Sequence, residues 1–334
     1  MRPGWEFLFA EPPRLAASET GPDGDVRSGE WIFADRRVPV ENGVPRFVEN
    51  QDYASNFGRQ WTDFRLTQLD SHTGLPLTFN RFWNNTRWNP GDLRGRLVLE
   101  AGSGAGRFTE ILAASGARVV SFDLSRAVDA NHGANGGSPD LLLCQASIYE
   151  MPFRPGIFDY VFCHGVLQHT PDPDRSYREL FRMLKPGGRI SIDYYLKLDH
   201  VSEWTTPKYL WRPVTATMDP DRLLAIIKTY MPLWLPVDSF LRRIPGAGPW
   251  LRALCGVPCW SYPELPLSRE EKLSWAIMDT FDALGARYDL PKTREEVRRM
   301  MDLPGTTDLE VVYGGNGVVA NARKRPDAPA GETA

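Results

Sequence analysis

Between residues 96 and 198, short apolar runs alternate with amphipathic stretches. Arg96–Glu100, Ala117–Phe122, Leu141–Gln145, Tyr160–Cys163 and Arg189–Tyr195 read as five strands. Arg107–Ser115 and Arg175–Leu184 read as helices, the second closed by Pro186-Gly187-Gly188. This rhythm predicts a parallel sheet with helices on both faces. Residues 1–50 predict an irregular cap with a short hairpin, Trp31–Phe33 against Arg37–Val40. Residues 51–95 predict lid helices, with Phe57, Trp61, Phe64 and Leu69 at helical spacing from Tyr53 onward. The alternation breaks over 199–290, a Trp-, Pro- and Leu-rich insertion with helical pieces at Asp221–Thr229 and Arg269–Leu284. It resumes over 291–324 with a helix at Arg294–Met301 and two strands, Leu309–Tyr313 and Val318–Ala322. Gly314-Gly315-Asn316-Gly317 joins them as a hairpin turn. Residues 325–334, rich in Pro and Ala, read as a disordered tail.

Charge and composition narrow the picture. A net charge of −3 gives no electrostatic reason to expect a nucleic-acid partner. No run approaches the roughly 18 apolar residues of a membrane span, and Met1–Ala10 lacks a signal-peptide pattern. The expectation is a cytoplasmic protein without membrane contact; the oligomeric state is left open. Cys144 and Cys163 sit in strand-like runs and read as core thiols. Cys255 and Cys259 form a C-x3-C pair with no second ligand pair nearby, so no metal is expected.

The chemistry concentrates in Val98-Leu99-Glu100-Ala101-Gly102-Ser103-Gly104-Ala105-Gly106-Arg107-Phe108, a strand running through a glycine loop into a helix. Gly102 and Gly104 let the chain turn sharply and let a ligand approach the backbone. Arg107 breaks the G-x-G-x-x-G spacing of dinucleotide sites. Glu100, ahead of the loop, repels a pyrophosphate and attracts a cationic sulfur or nitrogen. Asp123, at the end of the second strand, suits the two hydroxyls of a ribose. A positively charged nucleoside without phosphates fits that set, as S-adenosylmethionine does.

Residues 96–195 resemble a class I S-adenosylmethionine-dependent methyltransferase domain of the type 11 group. The matching text is VLEAGSGAGRF, VVSFDLS and QASIYEMPFRPGIFDYVFCHGVLQHTPDPDRSYRELFRMLKPGGRI. The resemblance implies an α/β, doubly wound, seven-stranded Rossmann-like sheet whose last strand is antiparallel. It implies that Glu100, Gly102, Ser103 and Gly104 face the methionine part of the cofactor, that Asp123 holds the ribose, and that Leu124 packs on the adenine. Ser147 and Ile148 fall beside the adenine. Ser147 stands where the family usually has an acid, and its hydroxyl accepts less strongly. His164 lies along the methionine chain.

For the methyl acceptor, His169 follows the fourth strand and is a candidate base. Asp193 and Tyr195 end the fifth strand at the carboxyl edge, where ligands bind in such sheets; Asp193 is a candidate partner for a cationic amine. Asp199, Glu203 and Asp279 add acids near the insertion. The aromatic helix with Tyr53, Phe57, Gln60 and Trp61 resembles a lid. The acids suit a cationic polar small molecule as methyl acceptor, and the sequence also resembles actinobacterial enzymes that methylate amino sugars of aminoglycosides. That resemblance implies transfer to an amine of an amino sugar or aminoglycoside-type natural product in antibiotic biosynthesis. Transfer to a sugar or phenolic hydroxyl is the alternative; a dinucleotide-dependent oxidoreductase is the alternative of another class.

Overall fold

A computed structural model describes residues 4–20, 26–48, 63–199 and 206–327. Tyr53, Phe57, Gln60, Trp61, Glu203 and the end of the tail lie outside the described residues. Where a hairpin was expected in the cap there is a four-stranded antiparallel sheet. Its strands, in order, are β1 (Arg14–Thr20), β2 (Val26–Ile32), β3 (Arg37–Glu41) and β4 (Val44–Pro45). Its inward residues Trp31, Val38 and Val40 join one core cluster with Phe9, Phe122 and Phe153. Arg46 bolts this cap to the main sheet. Its buried guanidinium donates to Gln145 Oε1 at 3.3 Å and pairs with Asp129, while the Phe47 N–H reaches the Gln145 carbonyl.

The main sheet contains β5 (Leu97–Ala101), β6 (Arg118–Asp123), β7 (Leu141–Gln145), β8 (Phe158–Cys163), β9 (Leu184–Tyr194), β10 (Thr306–Gly314) and β11 (Gly317–Lys324). Their order is β10-β11-β9-β8-β5-β6-β7. β5 to β9 pair in parallel; β11 runs antiparallel to both β9 and β10. The first strand in sequence lies in the middle, with β6 on one side and β8 on the other. The strand order therefore reverses beside the β5 carboxyl end, which opens a crevice there. β9 begins five residues before the expected strand and takes in the Pro-Gly-Gly segment, through a register irregularity between Phe158 and Tyr160 of its neighbour.

Flanking helices cover both faces: α1 (Leu77–Thr86), α2 (Arg107–Ala114), α3 (Ala127–Asn135) and α4 (Pro173–Met183). Phe82 of α1 and Phe108 of α2 pack on Phe162 of β8, with centroids 5.0 and 4.9 Å apart. The insertion forms α5 (Pro207–Thr215), α6 (Pro220–Leu241), α7 (Gly248–Cys255) and α8 (Arg269–Gly285). It has its own core, in which Leu223, Leu224, Ile227 and Met231 meet Trp275, Met278 and Phe281; Phe64 belongs to it. α6 runs through Pro232 and Pro236, well past the expected helical piece. α9 (Arg294–Met301) then leads to the last strand pair.

Candidate active site

The chain leaves β5 through Gly102 at φ +77°. A Cβ there would sit 2.2 Å from Val166 Cγ2, so only glycine fits between the loop and the segment after β8. Gly106, at φ +93°, is equally closed off by Asn131 Oδ1 at 2.2 Å. The loop is tied to β6 by Asp123, whose Oδ2 accepts the Gly104 N–H at 2.9 Å. Its Oδ1 accepts from Ser125 N–H at 2.8 Å and Ser125 Oγ at 2.7 Å. Burial raises the Asp123 pKa above the usual carboxylate value, and these three hydrogen bonds oppose the rise. These donors take three of the carboxylate's roughly four lone-pair positions and leave one on Oδ2.

That cavity, about 580 Å³, runs from the glycine loop to the insertion. On the sheet side Gly102, Ser103, Asp123, Leu124, Ile148 and His164 line it. The other wall holds Tyr195, Lys208, Tyr262, Trp275, Asp279 and Asp282; His169 lies between the two.

Three expected residues lie elsewhere. Glu100 is buried below the loop, not along the cavity wall. Its Oε2 accepts from Thr109 Oγ1 at 2.5 Å and Ser121 Oγ at 2.7 Å, and burial pushes its pKa up to about 7. Ser147 also lies off the cavity; its Oγ accepts the Tyr149 N–H and starts a short 3₁₀ turn. Asp193 is fully buried. It accepts from Gly165 N–H at 2.5 Å, Arg81 Nη2 at 3.0 Å and Asn316 Nδ2 at 3.3 Å, with His164 Nδ1 3.6 Å away. Burial pushes the Asp193 pKa up, but the Arg81 guanidinium and the Gly165 N–H outweigh it and hold the carboxyl below the usual range. The expected contact of Asp193 with an acceptor is therefore corrected: its oxygens serve the protein. Of the other expected acids, Asp199 is exposed and away from the cavity.

His164 is a neutral ring. Burial, opposed by the Asp193 charge, lowers its pKa to about 4; Nε2 lies 2.9 Å from Ser191 Oγ, and the ring stacks on Phe162. His169 Nδ1 lies 2.9 Å from the Tyr288 carbonyl, which requires the proton on Nδ1 and places the neutral ring's lone pair on Nε2. Its ring meets Tyr195 edge-on. The Tyr195 hydroxyl donates to Asp282 Oδ2 at 2.9 Å, and burial with that acid pushes its pKa far up, so it stays a donor.

Several cavity residues were not anticipated. Arg81 and Arg107 flank the Phe108 ring, 5.7 and 4.7 Å from its centroid. Arg107 donates to Gln68, and burial beside Arg81 lowers its pKa to about 10, so it remains a cation at neutral pH. Gly315 and Asn316, the two residues of the hairpin turn, also reach the cavity. Arg107 enters the sequence reading only as the residue that breaks a glycine spacing, and no local signal marks Arg81. A glycine-rich turn signals a hairpin, not a site. On the insertion, Asp279 accepts from the Tyr262 hydroxyl and from Gln68 Nε2 at 3.4 Å, and burial raises its pKa to about 6. Among the described residues no group of three His, Cys, Asp or Glu is placed to hold a metal ion.

S-adenosylmethionine fits this half of the cavity. Ser103 Oγ and Arg81 Nε are buried without a partner among the described residues, and both residues line the cavity. The guanidinium pair suits a carboxylate, Asp123 a ribose diol, and Leu124 with Ile148 an adenine face. The strand order, antiparallel penultimate strand and glycine loop define a class I methyltransferase domain.

Residues 99–192, less than a third of the chain, match the family described as Methyltransferase domain. Over 137 residues the chain is 34% identical to a ubiquinone biosynthesis O-methyltransferase of Pseudomonas fluorescens (strain SBW25), covering 39% of this chain and 56% of that one. It is 36% identical over 140 residues to the protein of the same name from Paracidovorax citrulli (strain AAC00-1), covering 40% and 56%. The chain thus spans little more than half the length of these curated relatives. A solved SAM-dependent methyltransferase from Aquifex aeolicus is similar with a TM-score of 0.41 at 13% identity, over 83% of this chain and 98% of that one.

Proposed function

We propose that the protein transfers a methyl group from S-adenosylmethionine to an amine nitrogen of a polar small molecule held between the sheet edge and α8. The observation that carries this reading is the pair Asp279 and Asp282, one turn apart on α8 and both on the cavity wall. Tyr195, Tyr262 and Trp275 surround them. Carboxylates framed by aromatic faces suit an ammonium group. An amino sugar, the acceptor expected from the sequence, meets that description.

Bound S-adenosylmethionine supplies a methyl group on a positively charged sulfur. The chain's residues then have three tasks: Arg81 and Arg107 orient the cofactor's carboxylate, Asp279 and Asp282 hold the acceptor, and the insertion excludes water. His169, with its lone pair on Nε2, takes the proton an ammonium must lose before it attacks.

The same His169 geometry favours a second reading, transfer to a hydroxyl, and the curated relatives are named O-methyltransferases. The test is methyl transfer from tritiated S-adenosylmethionine to matched amine and hydroxyl compounds. The amine reading expects turnover of amines only, with Asp282→Asn raising the amine KM about tenfold or more. Turnover of hydroxyl compounds with Asp282→Asn unaffected supports the second reading. No transfer to any compound, together with no calorimetric binding of S-adenosylhomocysteine, refutes both.

A further inference from the structure

The chain leaves α8 through residues 286–290, and this short segment carries the carbonyl that orients His169. The Tyr288 carbonyl lies 2.9 Å from His169 Nδ1, and the Leu290 N–H donates to the Gln168 carbonyl at 2.9 Å. From the other side, α5 grips the segment and the last turn of α8. Arg212 donates to the Ala283 carbonyl at 2.9 Å and to the Ala286 carbonyl at 2.7 Å, and Thr215 Oγ1 donates to the Leu284 carbonyl at 3.0 Å. Lys208 Nζ donates to Asp289 Oδ1 at 2.8 Å, and Arg212 Nε lies 3.7 Å from Asp289 Oδ2.

The Lys208 and Asp289 side chains are only 7% and 3% exposed. Taking two charges out of water costs about what their attraction returns, so a buried pair adds little stability; it is better suited to holding one geometry. The geometry at stake here is one peptide plane. The Tyr288 carbonyl belongs to the peptide that joins Tyr288 to Asp289, and a fixed Asp289 side chain limits how that plane can turn. Lys208 also lies over the Tyr195 ring, 4.9 Å from its centroid, and Tyr195 meets the His169 ring edge-on. The ion pair thus touches both neighbours that set the imidazole: the carbonyl at Nδ1 and the ring beside it.

We infer that Asp289, gripped by Lys208 and Arg212, is a positioning residue that selects the tautomer of His169. A neutral imidazole carries its proton on either nitrogen, and the hydrogen bond at one of them decides which. With the Tyr288 carbonyl held at Nδ1, the proton stays there and the lone pair stays on Nε2. The use of that lone pair as a base rests on the function proposed above; the choice of tautomer does not.

The test reads the tautomer first and turnover second. The full chain, labelled with nitrogen-15 at its five histidines, is examined by two-bond proton–nitrogen correlation above the ordinary histidine pKa, with His169→Gln supplying the assignment. The wild type should show a protonated Nδ1 and a bare Nε2. Lys208→Met/Asp289→Leu replaces the pair with apolar groups, which buried pairs often tolerate. It should move the His169 signals toward the Nε2–H form, lower kcat about tenfold or more with the acceptor found by the transfer assay, and leave S-adenosylhomocysteine affinity as it was. Should the double variant fail to fold, Asp289→Asn, which keeps the side-chain volume, is read in the same way. Wild-type His169 signals in a folded variant overturn the inference, and a lowered melting temperature with those signals unmoved assigns the pair to stability alone. A proton on Nε2 in the wild type overturns it as well. A shifted tautomer with unchanged kcat upholds the inference and instead removes His169 from the proposed reaction.

Discussion

The buried position of Asp193 makes a sharp prediction, because its removal tests an internal brace rather than an acceptor contact. Asp193→Ala leaves the Gly165 N–H, which it accepts at 2.5 Å, without its partner. An unsatisfied buried donor costs about 1–3 kcal/mol. The same substitution strips Arg81 of its carboxylate at 3.0 Å. Breaking a buried pair costs about 3–5 kcal/mol, but the Arg81 side chain is 25% exposed at the cavity and can rehydrate, so only part of that is lost. The sum is a destabilisation of about 3–5 kcal/mol. Asp193→Asn keeps an oxygen for Gly165 and loses the charge, at about 2 kcal/mol. Urea unfolding at fixed pH reads both values, and an unchanged slope confirms that the transition is the same one. Arg81 loses its anchor in both variants, so S-adenosylhomocysteine should bind several-fold more weakly by calorimetry. The acceptor KM at saturating cofactor should not move. Wild-type stability and cofactor affinity in Asp193→Asn, with the acceptor KM raised tenfold, would refute this reasoning and return Asp193 to the acceptor.

Other outcomes follow from the same geometry. Gly102→Ala, whose Cβ would meet Val166 at 2.2 Å in a left-handed conformation, should abolish measurable S-adenosylhomocysteine binding, and Val166→Ala in the same chain should restore part of it. Asp123→Ala should weaken cofactor binding by about 1.5–3 kcal/mol for each charged hydrogen bond lost; unchanged affinity in the folded variant would remove Asp123 from the ribose. His169→Ala should lower kcat about a hundredfold or more with cofactor affinity intact, and a normal kcat would leave positioning as the main source of rate. Glu100 carries a pH signature. Its pKa rises from 4.5 to about 7 on folding, so the native state holds the extra proton and stability falls as pH rises across that window, then levels off. Glu100→Gln should flatten that part of the stability profile, and an unchanged profile would show that burial does not set its titration.

What the sequence revealed, and what it hid, divides along physical lines. Local patterning reached the core sheet and the glycine loop because strand period, turn glycines and the acid at the end of β6 are set within a few residues. Turn chemistry likewise located the last hairpin. The start of β9 escaped because Pro-Gly-Gly reads as a stop, while pairing with β8 overrides it. Strand alternation separates Asp193 from Tyr194 but cannot say which face is roofed. Arg81 lies 112 positions before Asp193 and Asn316 lies 123 after it, and together they close over it. Glu100 is similar: the acid is visible in sequence, but the hydroxyls of Thr109 and Ser121 that draw it under the loop belong to a helix and a strand not yet placed. Arg107 shows the converse case, a residue in plain sight whose role depends on Gln68 and Arg81.

The hairpin turn at Gly315–Asn316 also bears on how the molecule is made. β11 inserts between β9 and β10, so β9 stays an open edge until residues near 320 have joined the sheet. Closing that pairing spans more than 120 residues, a late and entropically costly event for the growing chain. The side chain that completes the brace around Asp193 arrives at the same moment. A ribosome-bound chain ending before that hairpin would display a bare apolar strand beside an unfinished cavity, and would be the form most exposed to sticking and most dependent on a chaperone.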